Sequence, residues 1–290
     1  MRGRTVTAVG EGGTRGILRP GAMPEVFRLD RLPPSADLGD LVAVHWRVEC
    51  GLAPGQQHES LVLSYPAVNV SFEPDGAWVT GPVSGTYRRM LTGRFAVSAV
   101  RFRPAAFRTL VDRPMTALRD RVLPAGELLL LGEDVVRAVQ AAPDLDTARP
   151  LVEAWLRGLS RRRTPEQAEL EATVELVERD RRLTRVDQLA GRCGRSVRWL
   201  QRAFADQVGL PVKQVIRMAR LREVAERALA GDVDWAAVAA DLGYSDQAHL
   251  VRDFTAAVGT PPARYAREAG PSAPSSFSKT AAEATPSMGT

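Results

Sequence analysis

Residues 199–211 read WLQRAFADQVGLP and residues 249–261 read HLVRDFTAAVGTP, with Leu, Arg, Phe, Val, Gly and Pro at the same offsets in both. A repeat of this quality is not a compositional accident. Each copy follows a short apolar-periodic segment and a break. Val186–Arg192 leads to Cys193-Gly194-Arg195, after which Ser196 can cap a helix over Val197–Val208 that Gly209 ends. Trp235–Leu242 leads to Gly243-Tyr244, and Asp246 can cap Gln247–Val258, ended by Gly259. The pattern predicts two helix-turn-helix units. In the first, Leu189, Leu200 and Phe204 are spaced to pack the helices together, leaving Val197, Arg198, Gln201, Arg202 and Ala205 outward. Between the units, Val212–Ala230 predicts a helix about 28 Å long at 1.5 Å per residue. That length sets the two second helices close to one duplex turn apart, about 34 Å, so that both can enter successive major grooves.

Upstream of the repeat, Arg161-Arg162-Arg163 reads as a solvated linker. Thr164 then stands as an N-cap with Pro165 just inside the helix and Gln167 at the capping-box position. Before this boundary the texture is that of strands: Leu41–Val48, Leu61–Tyr65, Val68–Phe72, Ala77–Thr80 and Phe95–Phe102 are short and rich in β-branched and aromatic residues. Glu73-Pro74-Asp75-Gly76 joins two of them as a hairpin. A helical turn over Ala105–Leu110 follows Pro104, and Glu127–Gln140 and Thr147–Leu159 read as amphipathic helices and as a candidate dimer face. The expected fold class is therefore α+β in two domains. A β-rich barrel or sandwich with trailing helices occupies 21–160, and an all-α domain of two helix-turn-helix units joined by a linker helix occupies 161–269. Residues 1–20 and 270–290, poor in apolar content, are expected to be disordered.

Composition narrows the function classes. Apolar residues are 44% and charged residues 25%, with 39 Lys+Arg against 34 Asp+Glu for a net charge of +5, which permits a polyanionic partner. No apolar run is long enough for a membrane span. Met1–Gly16 lacks the apolar segment of a signal peptide, so a cytoplasmic location is expected. Two cysteines, Cys50 and Cys193, exclude a disulfide framework. Three histidines, His45, His58 and His249, form no local zinc-ligand cluster, and no HxH pair occurs; no metal and no cofactor are expected. No nucleophile elbow, phosphate loop or dinucleotide fingerprint is present, so no enzyme activity is expected.

The stretches DQLAGRCGRSVRWLQRAFADQVGLPVKQVIRMARL and WAAVAADLGYSDQAHLVRDFTAAVGTPPARYAR resemble the DNA-binding domain of the AraC/XylS family of bacterial transcription regulators. Val83-Ser84-Gly85 after Gly81-Pro82, together with residues 100–107 (VRFRPAAF), resembles less specifically a cupin-like sensor domain that precedes this module. The resemblance implies a regulator that binds double-stranded promoter DNA. Its base contacts fall on Arg198, Gln201 and Arg202 of the first recognition helix and on Gln247, Ala248, Val251 and Arg252 of the second. The residue chemistry is compatible, because Arg grips guanine O6 and N7 and Gln pairs with adenine N6 and N7. Ser196 and Val197, at the start of the first helix, complete the expected DNA-binding set, and the backbone N–H groups there suit phosphate. RNA polymerase, a small-molecule effector and a homodimer are the further partners implied.

Charge separates the two units. Residues 181–227 hold twelve Arg/Lys against four Asp/Glu, whereas 228–262 hold one Arg against five Asp. The first unit is thus expected to supply most of the affinity and specificity. Trp46, Tyr65, Phe72, Trp78, Tyr87 and Phe102 could line a ligand pocket, though the majority read as core, and His249 reads as packed beside Leu250. Two rival readings stand beside the regulator: a cupin-like enzyme with a DNA-localising module, and a DNA-repair methyl acceptor using Cys193 or Cys50.

Overall fold

The computed structural model of the chain describes residues 8–9, 17–18, 27–162, 164–231 and 233–269. Its strands are β1 (Ala8–Val9), β2 (Ile17–Leu18), β3 (Phe27–Leu32), β4 (Val42–Gly51), β5 (Gln57–Leu63), β6 (Asn69–Glu73), β7 (Gly76–Thr80), β8 (Thr86–Thr92), β9 (Arg94–Phe102) and β10 (Val122–Pro124). Seven of them form one sheet in the order β1-β3-β4-β9-β6-β7-β10, and β2-β5-β8 form a second. All neighbours are antiparallel except β1 and β3. A barrel needs an unbroken ladder that closes on itself. Here the larger ladder ends on two- and three-residue strands and the second sheet is separate, so the fold is an open two-sheet arrangement without a closed barrel.

The hairpin at Glu73-Pro74-Asp75-Gly76 forms between β6 and β7, with Glu73 paired to Gly76. Strands β3 and β8 were not expected: FRLDRL and TYRRMLT carry arginines that break the apolar signature. Ala8–Val9 and Ile17–Leu18 pair with β3 and β5, so these four residues of the stretch expected to be disordered are strands. The rest of 1–20, and 270–290, lie outside the described residues.

Period-2 alternation gives the larger sheet two different faces. Val70 and Phe72 of β6 and Val100 and Phe102 of β9 join a core with Val139, Val152, Trp155 and Leu156. Those last residues come from α1 (Glu133–Ala141) and α2 (Leu145–Arg157). The Trp155 ring meets Phe72 edge-on at 6.0 Å, and its Nε1 donates to the Leu130 carbonyl at 2.8 Å. The two helices thus turn their apolar sides inward, against the sheet, and these sides are not available as a dimer face. The first helix also starts later than expected. Gly132 holds an extended conformation at its N-cap, and Ala125–Glu127 is a separate 3-10 turn. Ala105–Leu110 reduces to a 3-10 turn over Ala106–Thr109.

Beyond residue 163 the described chain is helical: α3 (Pro165–Arg179), α4 (Val186–Cys193), α5 (Val197–Ala203), α6 (Val212–Leu229), α7 (Trp235–Asp241), α8 (Gln247–Val258) and α9 (Pro262–Ala269). The expected cap at Thr164 makes no side-chain hydrogen bond, and Gln167 donates to Glu171 instead. Gln188 does the capping one element later, its Oε1 accepting from the backbone N–H groups of Thr184 and Arg185 at 3.0 and 3.1 Å. Arg161 is not a solvated linker residue. Its guanidinium donates to Asp40 at 2.7 Å, because the connection lies against the β-rich domain and the Arg162 amide bonds to the Thr109 carbonyl.

Candidate nucleic-acid interface

The two units repeat in three dimensions as they do in sequence. Ser196 caps α5 by accepting from the Trp199 amide at 3.1 Å, and Asp246 caps α8 by accepting from the His249 amide at 2.6 Å. Gly194 and Gly243 turn at φ 63° and 66°, and Gly209 and Gly259 end the second helices at φ 84° and 83°. The difference lies in the last turn of α5, which widens to a π-turn over Phe204–Val208. Leu189, Leu200 and Phe204 are buried in one cluster with Val215 and Ile216 of α6, and Leu250, Phe254 and Tyr265 in another with Leu221 and Val224. The linker helix α6 therefore carries one unit on each of two successive stretches. Its 18 residues span about 27 Å.

That packing decides which side chains are left outside. Ser196, Arg198, Gln201 and Arg202 are exposed on the first unit, with Val197 half-buried beside them. Gln247, Ala248 and Arg252 are exposed on the second, with Val251 half-buried. Ala205 is half-buried rather than outward, since it falls in the π-turn that packs on the β-rich domain. His249 is also exposed, contrary to the expectation of a packed ring. The Tyr244 ring lies perpendicular to it at 5.2 Å, and Nδ1 lies 3.1 Å from the Ser245 hydroxyl. The sequence signal for it is present in hindsight: His249 stands one residue before the buried Leu250, at an offset where the first copy has the half-buried Trp199.

Charge is distributed unevenly around these helices. Arg192 pairs with Asp180 at 3.1 Å, Arg195 with Glu169 at 2.6 Å, Arg217 with Asp253 at 2.7 Å, and Arg227 with Glu223 at 2.9 Å. Among the described residues Arg198, Arg202 and Arg252 form no ion pair. Three guanidiniums on the exposed faces of the two recognition helices thus keep their full donor capacity for an external acceptor. Arg220 is held differently, stacking on the Tyr244 ring at 3.8 Å. Burial pushes the Tyr244 hydroxyl up to about 12, so it stays protonated and donates to Asp253 at 3.1 Å. This links the turn of the second unit to α6.

The β-rich domain grips the far ends of both recognition helices. Arg108 pairs with Asp206 at 3.2 Å, and Arg119 donates to the Gly209 carbonyl at 2.6 Å. Gln214 donates to the Ser84 carbonyl, and the Thr86 hydroxyl to the Ala257 carbonyl at 2.5 Å. The segment 84–86, running into β8, therefore touches the linker helix and the end of α8.

No group of three or more His, Cys, Asp or Glu side chains suited to a metal ion occurs among the described residues. Cys193 is half-buried, 3.6 Å from the Thr173 hydroxyl, and Cys50 is buried, which pushes its thiol up. His45 is buried, with Nε2 3.2 Å from Glu153. No helix among the described residues is long and apolar enough to cross a membrane.

Features of this kind define a DNA-binding transcription regulator of two parts. Residues 189–268 match the helix-turn-helix domain family, and the C-terminal module is of the AraC type. Residues 30–124 match a domain of unknown function (DUF6597), which spans β3 to β10. Among solved structures, the C-terminal domain of AraT, a response regulator from Geobacillus stearothermophilus, is similar at 19% identity and a TM-score of 0.34. That match covers 38% of this chain and 89% of that one. ToxT from Vibrio cholerae is similar over 84% of this chain and 98% of its own, at 11% identity and a TM-score of 0.41. The DNA-binding domain of AdpA, solved in complex with a target DNA, is similar at 23% identity and a TM-score of 0.31, over 34% of this chain and 89% of that one. These overall likenesses are remote. The class of the module rests on the family match and on the two-unit geometry.

Proposed function

We propose that the protein reads promoter DNA with α5 and α8 in successive major grooves and acts by binding rather than by catalysis. The observation that carries this is that Arg198 and Arg202 on α5 and Arg252 on α8 are exposed without an ion pair on the outward faces of the two recognition helices, while Arg192 and Arg195 beside α5 are paired. Arg198, Gln201 and Arg202 would contact base edges, with Ser196 and Val197 at the start of α5 against the sugar–phosphate backbone. On α8, Gln247 and Arg252 would hydrogen-bond and Val251 would meet a thymine methyl. The acidic surroundings of α8, with Asp246 and Asp253 on the helix itself, support a division in which the first unit supplies most of the affinity.

The β-rich domain would sense an effector and set how the two units are presented, since Arg119 bonds the end of the first recognition helix and Thr86 the end of the second. RNA polymerase and a second copy of the chain are proposed as further partners. Binding of the full chain to the DNA upstream of its own gene, beside a scrambled duplex across a salt series, tests the function. Preference for the upstream fragment with a steep salt slope supports it. Absence of binding at low salt overturns it.

A further inference from the structure

Arg108 reaches the outward side of α5 from the other domain. Arg198, Gln201, Arg202, Ala205 and Asp206 follow one another at helical spacing, so the stripe that carries the expected base contacts continues into Ala205 and Asp206. The β-rich domain covers the end of that stripe with two 3-10 turns, Ala106–Thr109 and Met115–Leu118. Asp206 stands four residues beyond Arg202, about 6 Å further along the helix, and its side chain remains 45% exposed. A carboxylate at this place meets any phosphate lying along α5 as a like charge. Arg108 offsets it, donating from Nε to Oδ1 of Asp206 at 3.2 Å.

The guanidinium is fixed there without being used up. Nη1 donates to the Val111 carbonyl at 2.8 Å, so two of the three nitrogens are held. Among the described residues Nη2 makes no hydrogen bond, and the side chain is 29% exposed. An arginine has five N–H donors in one plane, and holding one edge aims the rest. The segment around it is cationic as well: residues 108–121 hold Arg108, Arg113, Arg119 and Arg121 against Asp112 and Asp120.

We propose that Arg108 is a DNA-contacting residue, its Nη2 donating to a backbone phosphate beside the groove read by α5. Asp206 and the Val111 carbonyl hold the guanidinium in place, so little ordering remains when the phosphate arrives. A contact of this kind positions the duplex and carries no sequence information. The β-rich domain thereby takes part in DNA binding directly, and the affinity of the first unit depends on that domain staying docked. The proposal rests on the reading of α5 as a recognition helix and adds a contact from outside the helix-turn-helix module.

Anisotropy titrations of the full chain on the duplex upstream of its own gene and on a scrambled duplex, each over a salt series, test the proposal. Arg108→Gln should lower the slope of log K against log salt by about 0.9, the value of one phosphate contact. The loss should be equal on both duplexes and leave the preference between them unchanged. Asp206→Asn should keep the full slope, because the guanidinium retains its charge and the Val111 carbonyl. The Arg108→Gln/Asp206→Asn variant leaves no unpaired carboxylate, should fall about 0.9 below Asp206→Asn, and decides the matter if the single variant fails to fold. Arg137→Gln, on the exposed face of α1, should change nothing. An unchanged slope in both Arg108 variants overturns the contact. Equal losses in Asp206→Asn and Arg108→Gln overturn it in favour of a plain inter-domain ion pair, and tighter binding by Arg108→Gln overturns it in favour of a domain that obstructs DNA. In each of these cases, preference of the unaltered chain for the upstream fragment leaves the regulator standing. Absence of DNA binding by the unaltered chain at low salt removes both.

Discussion

The Arg222 guanidinium, on the helix that joins the two helix-turn-helix units, lies 4.3 Å from the centre of the Tyr65 ring in the β-rich domain. It is 2% exposed, donates to the Ser64 carbonyl at 2.5 Å and pairs with Glu178 of α3. The Arg101 guanidinium also lies 4.8 Å from the Tyr65 ring centre, and Tyr65 and Arg101 both line a cavity between the two sheets. One aromatic ring thus separates the cavity from the rod on which both DNA-binding units are mounted.

Arg222→Met leaves Glu178 with a single partner, Arg181 at 3.7 Å, in a half-buried setting. Removing one member of a buried ion pair costs about 3–5 kcal/mol. Urea unfolding of this variant is expected to show a loss of that size, and the Glu178→Gln double variant should recover part of it.

Gly209 and Gly259 occupy equivalent ends of α5 and α8 at nearly the same positive φ, and they should respond differently to alanine. A Cβ on Gly209 would stand 2.7 Å from the Met115 carbonyl oxygen, whereas on Gly259 its nearest neighbour is the Arg88 guanidinium at 3.9 Å. Backbone strain alone accounts for about 1–2 kcal/mol at Gly259, and the clash should bring Gly209→Ala to about 2–4 kcal/mol. Thermal unfolding of the pair checks the order.

His45 gives the β-rich domain a pH dependence. Burial pushes its imidazole down to about 4, and neighbouring Glu153 offsets this only in part. Between the unfolded value near 6.5 and about 4 the unfolded chain therefore binds a proton that the native chain does not. Stability is full above the unfolded value and falls as pH drops through this window, by up to about 3 kcal/mol, levelling off below the folded value. Urea midpoints from pH 7 to 4 should show the decline, and His45→Phe should flatten it.

Asymmetry between the two units predicts unequal costs at the DNA. Arg202→Ala is expected to weaken specific binding by about 1–3 kcal/mol and to relax preference at its base. Arg252→Ala should cost less, because its helix sits among aspartates. Fluorescence anisotropy on matched duplexes checks this, and a silent Arg202→Ala beside a damaging Arg252→Ala would reverse the assignment.

The helix-turn-helix units were legible in the sequence because their determinants are local: caps at Ser196 and Asp246, glycines at the ends, and buried Leu and Phe at helical spacing within each copy. The exposure of Arg198, Gln201 and Arg202 follows from the same periodicity, whereas Ala205 is drawn in by the π-turn. In the β-rich domain β4, β5, β6, β7 and β9 were legible from their own residues, whereas the arginine-bearing β3 and β8 were not, and the pairing of β5 with β8 and the separation of the two sheets depend on distant partners. Phe72 and Phe102 are core as expected. Trp46, Tyr65 and Tyr87 line a cavity, the other reading open for them, and no single-strand pattern distinguishes a wall from a core. Nothing in the spacing of α6 singles out Arg222 from the other arginines of that helix. Its buried position turns it across to Glu178 and Tyr65, a choice made by tertiary packing.

Selection of duplexes from a random-sequence library, run with the full chain and with an Arg198→Ala/Arg202→Ala variant, tests base reading by α5 most directly. The expected result is one enriched motif in two parts about one helical turn apart, with the part read by α5 lost in the variant. Enrichment of the same motif by both proteins, or of none by the full chain, would contradict it.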